Sequence, residues 1–402
     1  MYFFMGKQRT KHKILLGVDQ LPYLKKLCFG PKTKTALLCH PASLDQNLHH
    51  IKDTAESLVS LTAFFGPQHG IQGETQDNMI EWQDQRDSSQ RPVYSLYGQR
   101  RKPTLESLKG IDLVVVDLFD VGARYYTFIY TLAYMMETCA EAGVPILVCD
   151  RPNPLGGNFI EGPLLDLEYR SFVGRYELPI CHGLTIGELA KFFASKIQPA
   201  PKLHIIPMKG WKRKMNWKDT QTPWGLPSPN MPNFEAAVLY PGMCLIEGMS
   251  ISEGRGTTRP FELIGAPFFD WDKIEREYQK IAKSLRFTPA HFLRQGFIPT
   301  FHKHSGELCK GVIQVVRDPK SFQPVRHAVT LFWIFRQFYG NKWSWKRPPY
   351  EYEFEKLPID ILCGGPEIRD CIDQGASLKK LFESWTKDEK KFAAKRKPFL
   401  IY

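Results

Sequence analysis

The chain has 402 residues, of which 43% are hydrophobic and 24% charged, with a formal net charge of +12. This composition excludes a largely disordered, collagen-like or coiled-coil protein, and the length is enough for roughly two to three domains. No apolar run approaches the ~18 residues of a membrane-spanning helix, so none is expected.

The positive excess is spread over small clusters: Lys7 to Lys13, Lys25 with Lys26, Lys209 to Lys214, and Lys387 to Lys397. No zinc finger, glycine-rich RNA-binding signature or basic zipper accompanies them, so no nucleic-acid partner is expected. A solvated basic surface or an acidic ligand accounts for the charge. Nine cysteines occur, an odd number with no C-x-x-C pair. They read as reduced thiols in a reducing compartment rather than as a disulfide framework. The apolar stretch Met1 to Met5 is too short for a signal-peptide core, and its charged run follows instead of preceding it. A cytoplasmic location is expected.

In chain order, Thr35 to Cys39 predicts a first strand. Leu44, Leu48, Ile51, Ala55 and Leu58 then trace one face of a helix, with Ser43 as its N-cap. Strands follow at Leu61 to Phe65, Val93 to Tyr97 and Ile111 to Val116. A helix over Tyr126 to Ala142 ends at Gly143, and Val144 to Cys149 is the next strand. Thr185 and Glu188 form a capping box that opens a helix to about Ile197, and Leu203 to Pro207 closes the series. Continuous apolar strands between helices mean a parallel sheet covered on both faces. The fold class is therefore α/β: a Rossmann-like N-terminal domain over residues 14–265, followed by a smaller α+β domain over 266–402. The second part carries a helix at Asp272 to Leu285, a strand at Gly311 to Arg317 and a helix at Val325 to Tyr339.

Ligands of open α/β sheets bind outside the carboxyl ends of the strands. Polar clusters recur there: Gly66-Pro-Gln68-His69-Gly70 with Glu74, Asp117 to Tyr126 with Asp120 and Arg124, Asp150-Arg151-Pro-Asn153, and His182-Gly-Leu-Thr185. They predict one shared pocket. Simpler roles stand beside that reading: Asp120 and Arg124 as an ion pair, Thr185 as a helix cap, Asn153 as a turn residue. A second set comprises Pro227 to Pro232 with Asn230, and the glycine-rich, charged segment with Glu247-Gly248, Glu253, Arg255, Thr257 and Arg259. Neither a Walker loop nor G-x-G-x-x-G is present, so no nucleotide cofactor is expected. His302 and His304 lack further ligands at metal-site spacing, so no metal is expected. A cofactor-free pocket of carboxylates, amides and aromatic rings suits a sugar, and paired carboxylates suit glycoside hydrolysis.

The motifs G-P-x-H-G, P-V-Y-S-L-Y-G (92–98), D-x-x-D-V-G-x-R-x-Y-T (117–127), D-R-P-N-P (150–154), S-F-V-G (171–174), H-G-x-T-x-G-E-L-A (182–190), P-S-P-N-M-P (227–232) and S-E-G-R-G-T-T-R-P-F-E (252–262) occur in order, before a closing L-I-Y. Together they resemble the NamZ-type exo-β-N-acetylmuramidases over nearly the whole chain. The resemblance implies a Rossmann-like domain and an auxiliary domain enclosing a cleft. It implies release of N-acetylmuramic acid from the non-reducing ends of peptidoglycan fragments, with Gln68, His69, Arg124, Tyr126, Asp150, Arg151, Asn153, His182, Asn230, Arg255, Thr257 and Arg259 around the sugar. The sugar's lactyl carboxylate would meet Arg124, Arg151, Arg255 or Arg259. One position departs: the family's proposed catalytic glutamate stands in G-P-E-H-G, and here it is Gln68. An amide cannot exchange a proton as a carboxyl does. Either the acid has moved to Glu74, or Asp120 or Glu253 serves, or the chain binds sugar without cleaving it.

Overall fold

The computed structural model describes residues 14–76 and 79–402. Met1 to Lys13, with their apolar and basic runs, lie outside the described residues. Seven strands form the main sheet: β1 (Lys34–Leu38), β2 (Ser60–Gly66), β3 (Gln85–Arg86), β4 (Pro92–Ser95), β5 (Leu113–Val116), β6 (Ile146–Cys149) and, after a short pair β7 (Glu161–Leu164) and β8 (Pro179–Cys181), β9 (Leu203–Ile206). The order is β3-β4-β2-β1-β5-β6-β9, parallel throughout except for the edge strand β3.

The apolar runs are continuous because each strand feeds two cores. Ala36, Leu38, Val114, Val116, Ile146 and Val148 face one cluster. Leu37, Cys39, Leu113, Val115, Leu147 and Cys149 face the other. The first core takes α2 (Phe128–Ala142) and α3 (Ile186–Ala194). Gly143 ends α2 in the left-handed region at φ 71°, where a side chain would be strained. Thr185 and Glu188 make both bonds of the expected capping box.

The helix expected across Leu44 to Leu58 is shorter, α1 (Ile51–Glu56), and its N-cap is His50, not Ser43. Asp45 explains the loss: its carboxylate accepts from the N–H groups of Asn47 and His49, both at 2.8 Å, and so closes a local turn that competes with a helix. Ser43 instead accepts from His40 N–H and donates to the Asp117 carbonyl.

After α4 (Trp217–Thr220) and α5 (Phe234–Met243), a second sheet runs in the order β10 (Leu263–Ala266), β12 (Lys310–Val315), β11 (His291–Arg294), all antiparallel. It packs with α6 (Trp271–Leu285) and α7 (Pro324–Tyr339). The chain ends in α8 (Pro358–Cys363), α9 (Glu367–Asp373) and α10 (Leu378–Lys395), which sequence periodicity left unassigned. These elements return to the first sheet. Arg396 donates to the carbonyls of His182 and Gly183, and the Tyr402 hydroxyl reaches Asp150 at 2.6 Å. All nine cysteines are free, and eight are buried. Among the described residues no helix is long and apolar enough to cross a membrane.

Candidate functional site

The chain leaves β1 toward β2 and β4 on one side, and β5 toward β6 and β9 on the other. The order therefore reverses between β1 and β5, and ligands of such sheets bind at that reversal. A cavity opens there. From the sheet side it is lined by Gln68 and His69 after β2 and by Tyr126 and Thr127 before α2. Ser228 and Asn230 form one wall, and Glu247, Arg255, Tyr350 and Glu351 from the C-terminal half close it. Phe128, Tyr240 and Phe261 add aromatic surface. Its free volume is about 40 Å³, close to that of one water, so the walls must part to admit a pyranose.

The polar lining is tightly organised. Thr127 is at the start of α2, yet its hydroxyl makes no cap and donates to Gln68 Oε1 at 2.7 Å. His69 takes φ 73°, donates from Nδ1 to the Thr75 carbonyl at 2.8 Å and faces the Ser228 hydroxyl at 3.2 Å with Nε2. Burial lowers its pKa to about 4, so its ring is neutral. Asn230 bonds the backbone of Gln76, and Tyr126 donates to the Pro227 carbonyl at 2.9 Å. Glu247 accepts from Arg255 at 2.6 Å and from Tyr350 at 2.7 Å. The Arg255 Nη1 is buried without a hydrogen-bond partner among the described residues, which leaves donor capacity for an anion.

The sequence-selected residues divide. Gln68, His69, Tyr126, Asn230, Glu247 and Arg255 line the cavity, and the others do not. Arg124 is fully buried and donates to the carbonyls of Pro163, Leu178 and Leu362; it makes no ion pair with Asp120. Arg151 forms a buried two-bond pair with Asp117. Asp150 accepts from Arg151 N–H, Gly187 N–H, Thr185 and Tyr402, a fully used acceptor that ties the C-terminus to the sheet. Asn153 fixes a turn, accepting from Leu155 N–H and donating to the Leu184 carbonyl. Thr257 bonds the Gly254 carbonyl, and Arg259 is an exposed partner of Glu262.

The three carboxylates expected to carry catalysis stand apart. Glu74 is exposed, its carboxylate lying over the Cα of Gly70. Asp120 is buried beside His182, with Oδ2 3.4 Å from Nε2. The His182 Nδ1 accepts from Leu184 N–H, so the neutral ring carries its proton on Nε2, toward Asp120. Glu253 is sealed among Lys303, Arg255 and His302 at 2.5, 3.7 and 3.6 Å. Burial alone would raise its pKa, but these charges outweigh it and hold the carboxyl at about 2, too acidic to deliver a proton at neutral pH. His302 and His304 have separate carboxylate partners, Glu253 and Glu307.

Of the cavity's two carboxyls, Glu247 belongs to the charged, glycine-rich set named from the sequence, and Glu351 escaped that reading. Glu247 lies in a short helical turn after α5; Glu351 lies in the run Tyr350-Glu-Tyr-Glu353, where neither periodicity nor strand position marks it. The available signal was the concentration of tyrosine and glutamate after two prolines.

Comparisons with known proteins agree with this architecture. A family model described as the N-terminal domain of the exo-beta-N-acetylmuramidase NamZ matches residues 35–235, and its C-terminal counterpart matches 238–402. The peptidoglycan beta-N-acetylmuramidase NamZ of Bacillus subtilis (strain 168) is 42% identical over 398 residues, spanning 98% of this chain and 92% of the relative. A crystal structure of a DUF1343 family protein from Bacteroides fragilis superposes with a TM-score of 0.84 at 29% identity, covering 97% of this chain and 99% of that one. A second from the same organism gives 0.71 at 27% identity with the same coverage. With both domain models matched end to end, the chain belongs to the NamZ exo-β-N-acetylmuramidase family.

Proposed function

We propose that this chain is an exo-acting glycoside hydrolase that releases N-acetylmuramic acid from the non-reducing end of peptidoglycan fragments. The observation that carries the reading is the cavity at the sheet's reversal point. It combines two carboxyls, one incompletely used guanidinium and aromatic walls, the groups a glycoside-cleaving site needs. Of the four arginines considered for the lactyl carboxylate, Arg255 alone lines it. Family membership over both domains and the activity named for the Bacillus relative support the same reaction. Free, mostly buried cysteines fit a reducing compartment, and so an intracellular role in recycling wall fragments.

The test is incubation with N-acetylmuramyl-N-acetylglucosamine and with the disaccharide whose non-reducing sugar is N-acetylglucosamine. Release of N-acetylmuramic acid from the first alone is expected; no product from either overturns the reading. Gln68, at the position of the family's proposed catalytic glutamate, favours one alternative, a sugar-binding relative. Saturable binding by calorimetry without turnover would identify it.

A further inference from the structure

The cavity needs a carboxylic acid that Gln68 cannot supply, and Glu74 is exposed, Asp120 is buried beside His182 outside the cavity lining, and Glu253 is sealed among cations. Glu351 meets the requirement by geometry. It is 4% exposed and lines the cavity from the C-terminal half of the chain. The Tyr97 hydroxyl, 254 residues away in sequence, reaches both its carboxyl oxygens at 3.1 and 2.9 Å, and the Gln68 amide stands beside it as a donor. Glu351 and Tyr352 are the central residues of a tight turn closed by Tyr350 and Glu353, each donating to the other's carbonyl at 2.9 Å. Both central residues take positive φ, 45° and 68°, the conformation such turns usually give to Asn and Gly. Glu and Tyr are strained there, and backbone strain of this kind concentrates at functional sites.

We propose that Glu351 is the catalytic acid of this enzyme, protonating the glycosidic oxygen as the bond to C1 of the muramic acid breaks. The assignment rests on the muramidase reading above. In the balanced reaction the Glu351 proton passes to the leaving sugar's oxygen, the oxygen of a water molecule bonds to C1, and a proton from that water restores the acid over the cycle. Burial, more than the nearby charge of Glu247, raises the pKa of Glu351 to about 7, while Tyr97, Arg101 and Gln68 oppose the rise. The group is thus protonated just where a general acid is needed. Glu247, held by Arg255 and Tyr350, lines the same cavity as the second carboxyl such a reaction employs. The departure at Gln68 then has a physical sense. A glutamate there would set two carboxyls side by side to share one proton, whereas the amide keeps its bond to Thr127 and donates to Glu351 without a competing charge.

Glu351→Gln tests this with two substrates. The muramyl disaccharide has a sugar alkoxide as leaving group and needs the acid; a nitrophenyl muramide releases a stable anion and does not. The expected result is a fall of about 100-fold or more in kcat on the disaccharide and only a few-fold on the nitrophenyl substrate, with an unchanged melting temperature. Equal, small effects on both substrates would overturn the assignment while leaving the muramidase reading intact. No turnover of either substrate by the parent protein would overturn both. If Glu351→Gln fails to fold, the parent's own pH profiles decide. The disaccharide rate should fall as pH rises through about 7, and the nitrophenyl rate should not; a shared limb, or none, refutes the role.

Discussion

Replacing Arg124 by Met separates the two roles that sequence and structure give this residue. As a ligand for the substrate's carboxylate, its loss would raise KM and leave stability alone. The structure instead spends its guanidinium on three buried carbonyls, Pro163, Leu178 and Leu362, at 3.0, 2.8 and 2.9 Å. The Leu362 carbonyl belongs to the last turn of α8, so Arg124 pins the C-terminal half onto the segments that carry β7 and β8. Methionine keeps the volume and removes the donors. Three buried carbonyls left unpaired at about 1–3 kcal/mol each give a gross cost of roughly 3–9 kcal/mol, less the relief of burying a guanidinium that faces no carboxylate. A net loss of about 4 kcal/mol follows. The unfolding entropy of about 2 cal/mol/K per residue, over a chain of this length, converts it to a drop of about 5 °C in Tm. Differential scanning calorimetry reads the drop, and disaccharide kinetics on the folded fraction should show KM within a few-fold of the parent. An unchanged Tm with a strongly raised KM would refute the structural role and return Arg124 to the substrate.

Three further outcomes follow. Lys303→Met leaves Glu253 buried without its nearest cation, at a cost of about 3–5 kcal/mol at pH 7, read by urea denaturation. The folded pKa of Glu253, about 2, lies below the ordinary glutamate value of 4.5, so its ionisation contributes roughly 3 kcal/mol above pH 4.5 that is lost as pH falls through 2; the gap between parent and variant should narrow over that window, and a constant gap would contradict the ion pair. Glu74→Gln should keep disaccharide turnover within about two-fold, because an exposed carboxylate outside the cavity is not among the acid–base groups whose removal costs 100-fold; a loss on that scale would restore Glu74 as the acid. Asp150→Asn turns an amide N–H₂ toward the hydroxyls and N–H groups that now donate to the carboxylate, and should lower stability by about 1–3 kcal/mol with little change in kcat; loss of turnover at unchanged Tm would place it in the reaction instead.

Much of the first domain was legible because its signals are local. Strands buried on both faces read as unbroken apolar runs, and Gly143 and the Thr185–Glu188 pair punctuate helices by backbone chemistry alone. The helix at Leu44 failed because one side chain, Asp45, overrode a good apolar spacing. Strand ends pointed toward the candidate cavity, since the loops after β2 and β5 line it through Gln68, His69, Tyr126 and Thr127. They could not say which polar residue looks into the cavity and which is spent inside the protein. Arg124, Asp150, Arg151 and Asn153 have the residue types of a sugar site, yet each is consumed by backbone or ion-pair bonds that span long stretches of chain. Glu247 and Glu351 reach the cavity from the C-terminal half, and no spacing rule connects them to Gln68.

Mass spectrometry of the parent protein's products from N-acetylmuramyl-N-acetylglucosamine in water enriched in heavy oxygen tests the muramidase reaction directly. Hydrolysis at the muramic C1 predicts free N-acetylmuramic acid carrying the label at C1 and N-acetylglucosamine whose O4 is unlabelled. Intact disaccharide after prolonged incubation, or label at the glucosamine O4 instead, would contradict it.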